Sequence, residues 1–144
     1  MTDDEADEHY EKFRAAYAHR ERLRREKRYD ELRSVLDEQF GKETDVRHSH
    51  ECEVIWDEGQ RDRALNETVA RLKSGNYTIH HLFLAASYAY KLNRADVADY
   101  LKNSSTSKYD ETSSIDLINF VHSTLHGIEP SEELKRTAKM VLHG

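Results

Sequence analysis

Apolar residues recur along this chain mostly at three- and four-residue intervals, the period of a helix face, and only five Gly and one Pro interrupt them. Tyr10, Phe13 and Tyr17 open a first stripe; Tyr29, Leu32, Val35, Leu36 and Phe40 resume it, and Gly41 is placed to end the helix. Between the two the stripe lapses. A continuous helix from about residue 7 to 40 would run roughly 50 Å at 1.5 Å per residue, longer than most globular helices, so a kink, a break or a projecting arm is expected. Residues 41–51 lack periodicity and carry turn formers, which predicts a loop. Cys52 to Trp56, with Val54, Ile55 and Trp56 consecutive, reads as a short strand or a helical turn. Leu65, Val69 and Leu72 at i, i+4, i+7 predict a helix from about Gln60, stopped by Ser74-Gly75-Asn76.

The segment from Ile79 to Leu92 places apolar atoms on nearly every face, so its helix, capped by Thr78 and ended by Asn93, must be surrounded. Val97, Tyr100 and Leu101 form a short partner helix folded back on it, an αα-hairpin. In its small-residue spacing this hairpin resembles one tetratricopeptide helix pair, as a single copy without the signature aromatics. No period of twenty to fifty residues recurs three times, so a solenoid is not expected. Residues 103–114 read as a polar linker whose hydroxyls compete for backbone hydrogen bonds. Ser113 or Ser114 then caps a helix bearing Ile115, Ile118, Val121 and Leu125, closed by Gly127. Pro130 and Ser131 start a last one with Leu134, Ala138 and Val141 on one face. The fold expected is all-α: a small bundle of about five to six helices around a central buried helix, with a long N-terminal helix. Residues 1–8 are expected as an acidic disordered tail and residues 9–142 as a single helical domain.

Composition thins this picture. Leu, Ile, Val and Phe number 29 of 144, close to the level at which a chain stops burying enough apolar surface to fold. The core must be thin, or shared with a partner. The single cysteine, Cys52, forms no internal disulfide, and no apolar run is long enough for a secretory signal or a membrane span. A reducing compartment, cytoplasmic or nuclear, is the expected setting, with no membrane. Net charge is -6. Its sign is unevenly placed: Asp3, Asp4, Glu5, Asp7, Glu8 and Glu11 open the chain, and Arg20, Arg22, Arg24, Arg25, Lys27 and Arg28 follow in one short stretch.

That basic stretch is the strongest functional hint. On a helix, Arg20, Arg24 and Arg28 form one stripe, while Glu21 reaches Arg24 or Arg25 and Glu26 reaches Arg22. The stripe is therefore expected to keep free charge where the apolar face is missing, and Arg20, Arg24, Arg25, Lys27 and Arg28 are the candidate partner- or phosphate-binding residues. The plainer reading is a solvated helix joining two packed pieces, and an acidic chain repels a polyanion unless its basic face is well segregated.

Histidine supplies weak metal candidates. His48, His50 and Cys52 alternate, which on an extended segment aligns three ligand-type side chains, and His122 and His126 are spaced i, i+4. No paired Cys-x-x-Cys and no His-Glu-x-x-His motif accompanies them, so no metal or cofactor is expected. His80 and His81, in a first helical turn where the dipole disfavours positive charge, are expected to be neutral. Arg14 with His19, and Arg136 with His143, match the Arg-x(4–6)-His spacing of HEPN-type ribonucleases. Thirteen Arg and nine His yield about two such matches by chance, and Ala15 and Thr137 follow the arginines, so the activity is not carried over. No catalytic residue is assigned. The function expected is that of a non-catalytic helical interaction protein: an adaptor, regulator or small subunit with a protein partner, self-association being one version. Nucleic-acid binding through residues 20–28 is the alternative, and a small helical nuclease or metal enzyme the third reading.

Overall fold

The computed structural model describes residues 2–104 and 112–142, apart from the side chains of residues 112, 113, 140 and 141. All regular structure among them is helical. The eight helices are α1 (Asp3–Arg25), α2 (Tyr29–Phe40), α3 (Asp45–Asp57), α4 (Arg61–Ser74), α5 (Ile79–Lys91), α6 (Ala95–Asn103), α7 (Thr112–Leu125) and α8 (Glu132–Leu142). None of these helices is long and apolar enough to cross a membrane.

The acidic opening is helical rather than a disordered tail. The Thr2 hydroxyl accepts from the Glu5 amide while the Glu5 carboxylate accepts from the Thr2 amide, and Asp3, Asp4 and Glu5 sit on the positive end of the dipole. The expected break in the first stripe falls at Glu26–Arg28. Lys27 takes a left-handed backbone (φ 57), its amide donating to the Arg24 carbonyl and that of Arg28 to the Leu23 carbonyl. This 5→2 and 6→1 pair is a Schellman turn.

The same turn recurs. Gly59 and Gln60 donate to Trp56 and Ile55, Asn93 and Arg94 to Tyr90 and Ala89, and Gly127 and Ile128 to Thr124 and Ser123. The left-handed residues of these four turns are Lys27, Gly59, Asn93 and Gly127, which lie 32, 34 and 34 residues apart; Gly41 and Gly75, also at positive φ, end α2 and α4. The described residues form four helical hairpins in series, a repeat that was not expected from the sequence. Packing follows chain order: α2 meets α3, α4 meets α5, α6 meets α7, and α3 and α7 both pack on α5. Contacts of this kind, each unit touching only its neighbours, are those of a quasi-one-dimensional array. α5 is buried through His81, Leu82, Leu84, Ala85, Ala86, Tyr88 and Ala89 by helices no more than two places away.

The expected loop at 41–51 is overturned as well. Gly41 does end α2, but Thr44 caps α3 through the Arg47 amide (3.1 Å), and 45–57 is continuous helix with no strand at Cys52–Trp56. Its inward face carries Arg47 and Ser49 beside Cys52, Val54 and Ile55, so polar residues stand where apolar ones would have revealed the period. Arg47 is paired with Asp37 and Glu51, both at 2.9 Å, and the Ser49 hydroxyl donates to the Val46 carbonyl (2.6 Å). Ser114 does not cap α7; it is buried inside it. The side chains of Ser113 and Val141, and residues 105–111 of the polar linker, lie outside the described residues.

The core has two parts. Cys52, Ile55, Ala64, Leu65 and Leu72 join the buried faces of α5 to α8 in one cluster, and Leu23, Leu32, Leu36 and Val54 form a small second cluster under α1 and α2.

Candidate functional site

Because α3 is a helix, the alternating His48, His50 and Cys52 do not share a side. His48 and Cys52, four residues apart, project together, and His50 projects with Glu53 from an adjoining face. In α5, consecutive residues point about 100° apart, which is the helical step. His81 therefore meets the first pair and His80 the second, giving two groups: His48, Cys52 and His81, and His50, Glu53 and His80.

The first group is a chain of neutral donors and acceptors. The Thr78 amide donates to His81 Nδ1 (3.0 Å), closing a capping box at the start of α5. A neutral ring that accepts on Nδ1 carries its proton on Nε2, which faces His48 Nδ1 at 3.0 Å. His48 Nε2 in turn faces the Glu67 carboxylate at 3.7 Å. Burial, with His48, His80 and Arg71 nearby, pulls His81 down to about 4, and burial also lowers His48. The neutrality expected of His81 thus traces to its surroundings. Burial pushes the Cys52 thiol up to about 11. It is expected to react with a thiol reagent such as DTNB only at the rate of unfolding, and labelling within seconds in native buffer would contradict this.

The second group floors a cleft. Glu53 Oε1 lies 3.3 Å from His50 Nδ1 and 3.2 Å from His80 Nε2, and its Oε2 lies 3.5 Å from Arg24. Burial acts to raise the Glu53 carboxyl, but the hydrogen bonds from His50 and His80 and the charges of His80 and Arg24 outweigh it, holding the group well below the usual carboxylate range. The His50 ring stacks on Phe40 (4.7 Å, 9°), and His80 Nδ1 meets the Ser49 hydroxyl at 2.9 Å. Above them opens a cleft of about 230 Å³, walled by Tyr17, Arg20, Glu21 and Arg24 of α1.

For Arg24 and Arg28 this placement corrects the expectation that the arginine stripe keeps free charge; Arg20 forms no ion pair among the described residues. Arg24 donates to Asp57 (2.7 Å) and reaches Glu21 (3.3 Å) as well as Glu53. Arg20 bonds Gln39 and lies over the Tyr17 and Phe40 rings (5.7 and 5.1 Å). Arg28 is tied to Glu31 and Glu26 at the surface. Arg22 pairs with Glu26 at 4.0 Å. Nor is the segment without a core: Leu23 is 1% exposed, turned by one residue from the stripe onto Leu32, Leu36 and Val54. Arg25 and Lys27 are exposed, and their side chains enter no ion pair among the described residues.

The i, i+4 pair on α7 finds a third ligand-type residue in α6. His122 Nε2 and His126 Nε2 both face Asp99 Oδ1, at 3.0 and 2.6 Å, on a largely exposed surface. Hydrogen bonding from His126 lowers Asp99. Arg14 lies over the Tyr10 ring on α1, His19 contacts Arg22 on the same helix, and His143 lies outside the described residues, so neither Arg–His spacing is seen to build a site. Sequence reasoning missed Glu53, His80 as its partner, and Asp99. Glu53 at i+3 from His50 was available as a helical spacing, but only to a reading that took residues 45–57 as helix. No protein-family model, no curated protein and no solved structure matches this chain.

Proposed function

We propose that the protein is a non-catalytic helical interaction protein, an adaptor, regulator or small subunit, that takes up a partner helix along the first half of α1. The observation that carries this reading is a bare aromatic stripe: Tyr10, Phe13 and Tyr17 stand 61%, 62% and 53% exposed. Their three- and four-residue spacing puts them on one helix face. In a stacked array an apolar helix face is covered by a neighbouring element. These three rings are left more than half exposed. Covering them supplies on the order of 5 kcal/mol before the costs of ordering and association.

Charge narrows the partner. Asp3 and Asp7 lie on the stripe's side of α1 and lead into it, while Glu8 is paired with Lys12 on the far face, so the partner helix carries basic residues at the end that meets Asp3 and Asp7. A second copy of this chain is a poorer match, because its arginines at positions 20, 24, 28, 33 and 47 already bond polar or acidic groups of their own. The nucleic-acid alternative is left with Arg25 and Lys27, and with Arg20, whose contacts are a neutral amide and two rings. A cytoplasmic or nuclear setting belongs to the reading, since Cys52 is held as a buried thiol.

The test is affinity capture from the source lysate with wild-type protein and Phe13→Asp, a surface substitution whose helicity is checked by circular dichroism. A protein recovered by wild type and reduced at least tenfold by Phe13→Asp is expected, with recovery falling as salt rises. Equal recovery by both would sink the reading. Dimers in light scattering that Phe13→Asp dissolves would give the stripe to a second copy. Nuclease-sensitive recovery that survives Phe13→Asp and is lost in Arg25→Glu/Lys27→Glu would give the function to nucleic acid.

A further inference from the structure

We propose that His50 Nδ1, Glu53 Oε1 and His80 Nε2 form a binding site for a divalent transition-metal ion of the zinc class at the floor of the cleft between α1, α3 and α5. Two nitrogens and one carboxylate oxygen are the donor set of open, three-ligand zinc sites. Their spacing fits before any ion is added. Ligands about 2.0–2.1 Å from a tetrahedral ion lie about 3.3 Å from one another, and Glu53 Oε1 is 3.3 and 3.2 Å from the two ring nitrogens. All three ligand atoms fall within 4.8 Å of one another, so a small rotation of the rings closes the triangle.

The surroundings orient the three donor atoms toward one another. The Ser49 hydroxyl has one hydrogen, and the 2.6 Å contact to the Val46 carbonyl takes it. Ser49 therefore accepts from His80 Nδ1–H at 2.9 Å, which leaves Nε2 bare toward Glu53 in the neutral ring. Arg24 holds Glu53 Oε2, the oxygen turned away from the histidines, and Phe40 fixes the plane of His50. In the absence of metal, protons on the rings fill the same places opposite the carboxylate. The cleft above the three ligands, with Arg20 in its wall, leaves room for a fourth ligand.

The other two clusters lack this preparation. At His81 the Thr78 amide occupies Nδ1, so the proton sits on Nε2 and a metal there would break the helix cap; Cys52 beside it stays a thiol. Asp99 offers one oxygen to both His122 and His126 on an open surface, with no side chain among the described residues bonded to their outer nitrogens.

The test is titration of the chelator-treated full chain with Co²⁺ and Zn²⁺, followed by the cobalt d–d absorption and by calorimetry. One equivalent of metal is expected, with a four- or five-coordinate cobalt spectrum that zinc displaces. His50→Gln and His80→Gln should abolish the spectrum, Ser49→Ala should weaken binding about 10–100-fold, and His122→Gln/His126→Gln should leave it unchanged. Circular dichroism confirms that each variant is folded, and Ser49→Ala provides the reading if a ligand variant is not. An absent cobalt spectrum at millimolar metal, uptake indifferent to His50→Gln and His80→Gln, or uptake lost only in His122→Gln/His126→Gln would each overturn the assignment.

Discussion

Lowering the pH from 7 to about 4, with a chelator present to keep the protein metal-free, is expected to cost the fold about 3 kcal/mol through His81. In the unfolded chain this group titrates near its ordinary 6.5, and in the native state burial holds it down to about 4. Between those values the unfolded state binds the proton and the native state does not, so stability is full above about 6.5 and drains as pH falls toward 4. Below that, both states are protonated and the loss levels off. The groups facing the ring favour this: His48, His80 and Arg71 oppose a charge there, and Asp45 alone among the causes acts to raise it. His48 is lowered as well and adds to the slope. The lowered carboxylates do not confuse the window. Glu53 and Glu58 have ordinary values of 4.5 and folded values below it, so their contribution begins to be lost only below about pH 5, and the fall between about 6.5 and 5 belongs to the histidines. Urea melts at half-unit steps of pH test this, with His81→Gln as the control. That variant gives up the cap bond to Thr78 and starts lower, but its stability should fall less than that of the wild type over the same window, with only the contribution of His48 remaining. A wild-type curve flat between pH 6.5 and 4.5 would mean that the ring is protonated inside the native fold.

The all-helical class was legible because apolar positions three and four apart dominate the chain, and several helix ends were legible from single residues: Gly41, Gly75, Thr78 and Gly127 stand where the structure uses them. The hairpin repeat was not. It resides in a backbone conformation, φ near +55° to +90°, that Gly59 and Gly127 adopt freely but that Lys27 and Asn93 supply at the other two turns, so no residue identity recurs with the period. The candidate site was half legible for a related reason. His48, His50 and Cys52 were singled out as ligand types, yet their secondary structure was misread because Arg47 and Ser49 occupy the buried face of α3. A strand reading aligns the three; a helix separates them and pairs each half with a different histidine of α5. The arginine stripe failed in the opposite direction. Its local partners Glu21 and Glu26 were foreseen, but Asp57 and Glu53, which tie Arg24 into the cleft, come from more than twenty-five residues away, and nothing local in the sequence signals them.

A serial array makes one further expectation, about where the fold gives way. Leu36→Ala and Leu65→Ala remove the same atoms from fully buried sites, each with an expected loss of about 3 kcal/mol. Their consequences should differ. Leu36 belongs to the small cluster with Leu23, Leu32 and Val54, and α1 and α2 are otherwise held to α3 by the Phe40–His50 stack and by polar links: Arg24 to Asp57, Arg33 to Glu51, the buried Arg47 to Asp37, and the Tyr29 hydroxyl donating to the Asp57 carbonyl at 3.1 Å. Apart from the Arg47 pair, partly exposed ion pairs of this kind contribute little to stability. Truncating Leu36 should therefore release the first hairpin as a unit while the helices from α4 onward remain folded, a sub-global opening of the type seen in quasi-one-dimensional proteins. Leu65 lies in the large cluster that joins α3 to α8, and its truncation should lower the free energy of global unfolding instead. Hydrogen exchange read by mass spectrometry separates the outcomes. In Leu36→Ala, amides of 3–40 should exchange faster while those of α5 keep their protection; in Leu65→Ala, protection should fall in α4, α5 and α7 together. Equal and uniform loss in both variants would mean that the two clusters unfold as one cooperative core, and that the polar links across Asp57 couple the first hairpin to the rest far more strongly than exposed ion pairs ordinarily do.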